Sequence, residues 1–202
     1  MEASPRKLDV DGVVLAAGRS TRMGRPKALL DASGESFIER AVHLLRRGGC
    51  RYVLAVVPPD EEWEIRLADV SGAEVIFNPE PASEQIASLR LALAHVTYDA
   101  AGVMVLPVDF PLVRASTVVA LRESFLARGA PVVRPTYRGR PGHPTLFART
   151  VFPELLDPRL DDGARTLVER HAHDREDVAV DDPGVVTDIN TPEDYRRFRE
   201  ER

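Results

Sequence analysis

The stretch Leu15-Ala16-Ala17-Gly18-Arg19-Ser20-Thr21-Arg22-Met23-Gly24-Arg25-Pro26-Lys27 holds the residue types needed to grip a polyphosphate. Small side chains at 16 to 18 let a ligand approach the backbone, and Gly18 and Gly24 let main-chain N–H groups curl around an anion. Arg19, Arg22, Arg25 and Lys27 place four cations in the same loop. The lysine is conspicuous, because of 27 Lys+Arg only Lys7 and Lys27 are lysine. An ammonium is a compact point charge on a flexible stem, whereas a guanidinium imposes a planar fork. Two common phosphate cradles are excluded. G-x-G-x-x-G is absent, and the P-loop pattern fails because Gly18 and Gly24 are one residue too far apart. A dehydrogenase or P-loop ATPase is therefore not expected; a merely solvated basic loop is the competing reading.

Other chemistry-bearing residues follow. Asp109 closes the apolar run Val103-Met104-Val105-Leu106, and a carboxylate there is costly unless it meets a cation or hydrogen bonds. Mg²⁺ suits it, since that ion takes one or two carboxylates plus substrate phosphates; a turn cap before Pro111 is the plainer account. His143, between Gly142 and Pro144, stands in a turn where it can touch substrate or serve structure alone. Thr191-Pro192-Glu193-Asp194 reads as an N-cap, Pro at N1 and an acidic first turn. His171 and His173 read as solvated, and Cys50 as packed.

The elements that must position these groups alternate. Strands are expected at 13–17, 52–57, 74–77, 102–106, 131–136 and 145–147, and helices at 37–47, 61–68, 83–95, 116–128, 164–171 and 192–199. Continuous apolar strands between helices mean a mostly parallel sheet covered on both faces, an α/β fold. Ligands of such sheets sit beyond the carboxyl ends of the strands, where the loops after Ala17, Phe77 and Leu106 lie. No Gly/Pro/Ser linker divides the 202 residues, so one domain over about 10–200 is expected, with a doubly wound first part to about 112 and a more mixed part from 113. Hydrophobic residues make up 44% and net charge is −5, which argues against a nucleic-acid partner. Apolar runs fall far short of the roughly 20 residues a membrane span needs. With no signal-like N-terminus and one cysteine, a cytoplasmic protein without disulfides or structural zinc is expected.

The pattern L-A-A-G-x-S-x-R-M-G-x-P-K at 15–27 resembles the signature loop of nucleotidyltransferases related to molybdenum cofactor cytidylyltransferase and guanylyltransferase. Val108-Asp109-Phe110-Pro111 resembles that family's D-x-P motif, Asn78-Pro79 with Ser88-Leu89 its base-reading segment, and Gly142-His143-Pro144 its acceptor-side motif. Asp162-Gly163-Ala164-Arg165 and Asp188-Ile189-Asn190-Thr191-Pro192-Glu193-Asp194-Tyr195 resemble two further family elements. Ser83-Glu84 depart from it where glycine is usual, and so does Asn190, an amide in place of an acid.

The resemblance implies a Rossmann-like three-layer fold and transfer of CMP from CTP, with release of pyrophosphate, to a molybdopterin-type phosphate. Guanylyl transfer, a sugar- or polyol-phosphate acceptor, and a catalytically quiet nucleotide-binding subunit remain the rival readings. It implies Lys27, Arg22 and Asp109 as catalytic, and Leu15, Ala16, Ala17, Gly18, Arg19, Ser20, Gly24, Asn78 and Ser88 as nucleotide-binding. His143 and Arg165 are implied for the acceptor, with Asp109, Asp188 and Asn190 as ligands of Mg²⁺ or Mn²⁺. A molybdoenzyme or its chaperone is the implied protein partner.

Overall fold

Runs of β-branched and aliphatic residues form strands that alternate between two apolar layers. The computed structural model describes residues 9–18, 23–24, 26–59, 72–80, 85–160 and 163–200. Its strands are β1 (Val10–Leu15), β2 (Val53–Val57), β3 (Glu74–Phe77), β4 (Gly102–Pro107), β5 (Val132–Tyr137), β6 (Arg140–Pro141), β7 (Thr145–Ala148) and β8 (Glu176–Ala179). Its helices are α1 (Phe37–Arg47), α2 (Gln85–Leu93), α3 (Ala115–Arg128), α4 (Phe152–Leu156), α5 (Ala164–Arg170) and α6 (Pro192–Glu200). The strands form one sheet in the order β3-β2-β1-β4-β7-β5-β6, with β8 also paired to β5. From β3 to β4 every pairing is parallel; β7 runs antiparallel between β4 and β5.

The period of two assigns each strand residue to a face. Val10, Val14, Val53, Ala55, Met104 and Leu106 point to the layer containing α1, α3 and α6. Val13, Leu15, Leu54, Val56, Val103 and Val105 point to the layer containing α2, α4 and α5. Helices thus cover both faces, as the apolar strand runs require. Full burial of a side chain such as Phe37 or Leu45 contributes about 1.5–3 kcal/mol before the entropy of ordering is set against it.

Helix boundaries follow local chemistry. Ser36 Oγ accepts from Glu39 N while Glu39 Oε2 accepts from Ser36 N at 2.6 Å, a capping box that starts α1. Gly48 ends α1 and Gly49 takes the left-handed turn at φ +91°. The helix expected at 61–68 lies outside the described residues.

Four features differ from the sequence expectation, the smallest being β6, which lies between the strands expected at 131–136 and 145–147. Strand β1 begins at Val10 rather than Val13, through the unpromising pair Asp11-Gly12. The Asp11 carboxylate is fully buried, but one oxygen accepts from Thr97 N (2.9 Å) and Thr97 Oγ1 (2.7 Å). Gly12 leaves room for Leu45, whose Cδ1 would stand 3.0 Å from an added Cβ. Strand β8 and the short α4 were not anticipated; β8 alternates half-buried and exposed residues and so lacks an apolar run. Cys50 is packed as expected, and burial, then the Asp11 carboxylate, pushes its thiol up to about 12.

His171 is not solvated. Its Nε2 lies 3.1 Å from Glu154 Oε1 and its Nδ1 3.0 Å from Asp174 Oδ1, while His173 is exposed. Burial works against the imidazolium, yet the two carboxylates win and raise its pKa above the ordinary value. The stabilisation is therefore complete below about pH 6.5 and lost as pH rises through the folded-state value. Urea unfolding at pH 6 and pH 8 should show a larger loss across that interval for the wild type than for His171→Asn. Equal pH dependence of the two would refute the assignment.

Candidate active site

The carboxyl ends of β1 and β4 lie side by side, with Leu15 paired to Pro107 and Val108 N donating to Leu15 O at 3.1 Å. That juxtaposition brings the loop after β1 against the loop after β4. Lys27 opens a one-turn 3-10 helix, Lys27–Leu29, anchored by buried Ala28 and Leu30. Its ammonium lies 3.3 Å from Asp109 Oδ2 and also donates to Asn190 Oδ1. The Asn190 amide nitrogen in turn donates to Asp188 Oδ2. Four residues singled out from sequence therefore form one chain of contacts. The pair is only partly accessible, with side-chain exposures of 14% for Lys27 and 25% for Asp109.

The segment that delivers Asp188 and Asn190 is held from several sides. Ile189 N donates to Asp109 O at 2.8 Å, tying it to the β4 loop. Upstream, the buried Asp182 carboxylate accepts from Arg114 N (2.8 Å), Thr117 Oγ1 (2.7 Å) and Gly184 N (3.0 Å). Asp182 thereby fastens the 3-10 turn Pro183–Val186 to the first turn of α3, where the helix dipole also favours a carboxylate. Downstream, Asp194 N donates to Thr191 Oγ1 (3.1 Å) and Thr191 N to Asp194 Oδ2 (2.9 Å), a reciprocal cap that starts α6. Tyr195 Oη then donates to Asp31 O at 3.0 Å, joining α6 to the segment just after Lys27. Asp182 was missed from sequence; its signal was the Asp-Pro-Gly turn that Asp182-Pro183-Gly184 spells.

Beside the cluster opens a cleft of about 1070 Å³ whose lining includes Leu15, Phe110, Arg140, His143, Arg165 and Asp188. His143 and Arg165 thus face the same space, which is at the upper end for small-molecule sites. His143 is half-buried, its ring 4.7 Å from that of Phe110, and its backbone N–H donates to Val185 O at 2.8 Å. Among the described residues its buried Nδ1 has no hydrogen-bond partner. Burial pushes the imidazole below its ordinary pKa against the opposing pull of Asp109 and Asp188, so the ring is neutral at pH 7. Arg165 is exposed on the cleft rim and pairs with Glu169 at 3.0 Å. Phe110, Arg134 and Arg140 also line the cleft and were not singled out from sequence. Arg134 could have been, as a charge directly after the buried pair Val132-Val133; it forms a two-bond pair with Asp177.

Residues 12–175 match the MobA-like NTP transferase domain. The chain belongs to this family. It is 23% identical to the molybdenum cofactor cytidylyltransferase of Escherichia coli over 192 residues, covering 95% of this chain and 96% of that one. It is 29% identical to a molybdenum cofactor guanylyltransferase of Rhizobium meliloti over 207 aligned residues, covering 92% and 88%. A crystal structure of Rv0371C from Mycobacterium tuberculosis in complex with manganese superposes with a TM-score of 0.78 at 32% identity, covering 96% of this chain and all of that one.

Within this NTP transferase domain, the β1 loop is described only in part. Arg19, Ser20 and Arg22 lie outside the described residues, as do Ser83-Glu84 and Asp161-Asp162. Ala16 and Ala17 are buried, and Ala16 N donates to Val56 O at 2.8 Å, continuing the sheet hydrogen bonds past β1. Gly18 is exposed, and Gly24 takes φ +66°, a left-handed conformation suited to glycine. Asn78 and Ser88 are buried and bond to each other, Asn78 Nδ2 to Ser88 Oγ at 2.9 Å, while Asn78 Oδ1 accepts from Glu80 N. These contacts fasten the turn after β3 to α2.

Asp109, Asp188 and Asn190 offer oxygen donors only, and an ammonium already rests against two of the three. Hard divalent ions such as Mg²⁺ and Mn²⁺ suit such a set. Among the described residues no three His, Cys, Asp or Glu converge as a metal cage. The donors present fit an ion that takes one or two carboxylates and completes its shell with phosphate and water.

Proposed function

We propose that the chain transfers CMP from CTP to the phosphate of a molybdopterin-type acceptor and releases pyrophosphate. The observation that carries this reading is the convergence of Lys27, Asp109, Asn190 and Asp188 at the carboxyl ends of β1 and β4, beside the cleft holding His143 and Arg165. The residues over 10–112 bind the nucleotide and those from 113 to 200 the acceptor, as parts of one domain built on one continuous sheet.

The acceptor monoester is largely dianionic at neutral pH, its second pKa being about 6, so no strong base is required. Catalysis is positioning and charge neutralisation. Mg²⁺ or Mn²⁺, when bound, supplies charge neutralisation at the triphosphate. Asp109, with Asp188 and Asn190, would hold that cation. Lys27 and Arg22 neutralise the departing pyrophosphate. Gly18, Arg19, Ser20 and Gly24 cradle the phosphates, Leu15, Ala16 and Ala17 giving the backbone close approach. Asn78 and Ser88 shape the base pocket through the turn they fix. Neutral His143 offers a ring nitrogen to the acceptor, and Arg165 an exposed positive charge at the rim.

CTP is favoured by residues 16–18, whose Ala-Ala-Gly form resembles the cytidylyl members more than the guanylyl ones, where Ala-Gly-Gly is usual, and similarity to the cytidylyltransferase accompanies it. GTP is the second reading, supported by the guanylyltransferase similarity. Pyrophosphate release with Mg²⁺, molybdopterin and each NTP should favour CTP at least about tenfold, a difference of roughly 1.4 kcal/mol in transition-state binding. A preference for GTP would overturn the cytidylyl reading; no release with any NTP would overturn transfer. In the same assay Lys27→Arg is expected to lose about 10²-fold in turnover, because a planar fork cannot reproduce the ammonium's approach. Near-normal turnover would remove Lys27 from the reaction.

A further inference from the structure

Lys27 does something here that phosphate contact alone does not account for. Its ammonium rests against Asp109 Oδ2 and Asn190 Oδ1, oxygens of two of the three residues suited to a divalent cation. An ammonium and a divalent ion cannot share the same faces of these oxygens, since they would compete for lone pairs and repel at contact distance. The backbone around Lys27 is fixed, with Leu30 N donating to Lys27 O at 3.0 Å and Ala28 and Leu30 buried. Only the flexible stem is left to carry the ammonium elsewhere.

We propose that Lys27 is an internal counter-ion that occupies the Asp109–Asn190 cation site and hinders metal retention until a triphosphate draws the ammonium away. The identity of residue 190 fits this role. As a neutral amide, Asn190 contacts the lysine through its oxygen and Asp188 through its nitrogen. A carboxylate at 190 would add a second negative charge to Lys27 and hold it more firmly. Asn190 therefore makes the lysine's hold weak enough to release. This inference rests on the nucleotidyl-transfer reading only for the identity of the releasing ligand; the competition between lysine and metal stands apart from it.

The test is Mn²⁺ binding to the intact protein without nucleotide, read from the electron paramagnetic resonance signal of free Mn²⁺. Lys27→Met should bind Mn²⁺ at least tenfold more tightly than the wild type. Lys27→Arg, which keeps the positive charge, should stay within about threefold of it. Adding CTP should tighten Mn²⁺ binding more in the wild type than in Lys27→Met. Thermal melting reports whether each variant is folded, and Lys27→Gln replaces the methionine variant if that one is not. Equal or weaker Mn²⁺ binding by the folded neutral variant would overturn the proposal. If that variant binds more tightly but the wild type releases no pyrophosphate with any NTP, the counter-ion role survives and the transfer reading falls.

Discussion

Asp109→Asn should lower turnover by about 10²- to 10³-fold while leaving the melting temperature nearly unchanged. Asparagine keeps the shape and one carbonyl oxygen for the Lys27 ammonium 3.3 Å away. The backbone link from Ile189 N to Asp109 O does not involve the side chain and survives. The lost ion pair is partly solvated, and such pairs are worth about 0–1 kcal/mol. What disappears is the negative charge beside the triphosphate, and with it the hold on the divalent cation. The KM for NTP should rise along with the fall in kcat, and raising the metal concentration should recover part of the rate. Single-turnover pyrophosphate release with a melting curve decides the matter. Turnover within tenfold of wild type would show that Asp109 is only the turn cap that its position before Pro111 permits.

Asp109 was legible because it combines two local signals, an apolar strand and a charge at its carboxyl end. The cap at Thr191 was legible for the same reason, since it acts within one turn of the residue it serves, whereas the Ser36 cap that starts α1 was not singled out. The contacts that assemble the site are not local. Lys27 meets Asp109 across 82 positions and Asn190 across 163, and no periodicity encodes such a meeting. The sequence thus put Lys27 on phosphate and Asp109 on metal, without showing that the two touch. Asn78 and Ser88, both picked out toward a base, likewise meet across ten positions, through the bond from Asn78 Nδ2 to Ser88 Oγ. Strand direction was legible for β1 to β4, where the sequence pattern places a helix between successive strands. It was not for β7, because Thr145 to Ala148 are buried throughout and read alike in either direction.

Gly142→Ala is the change expected to damage the folded site most without touching a charged group. A Cβ at 142 would stand 2.0 Å from Val185 O and 2.6 Å from Val185 C, which are backbone atoms with no rotamer to yield. Relief requires the turn at 183–186 to separate from the loop at 140–144, which breaks the 2.8 Å bond from His143 N to Val185 O. Overpacking of this kind costs about 2–3 kcal/mol, or roughly 5–10 °C in melting temperature for a chain of this size. The same separation moves His143 on one side and Asp188 on the other, so affinity for the acceptor should fall further than affinity for NTP. Gly139→Asn separates this clash from general sensitivity of the loop. Gly139 has φ +76° and nothing within 4 Å of an added Cβ, and asparagine tolerates that backbone conformation. It should melt within about 2–4 °C of wild type, a change of at most about 1 kcal/mol. Comparable losses in both variants would mean that the hairpin is merely fragile; loss in Gly142→Ala alone identifies the close approach of two backbones as what sets the distance between His143 and the Asp109 cluster.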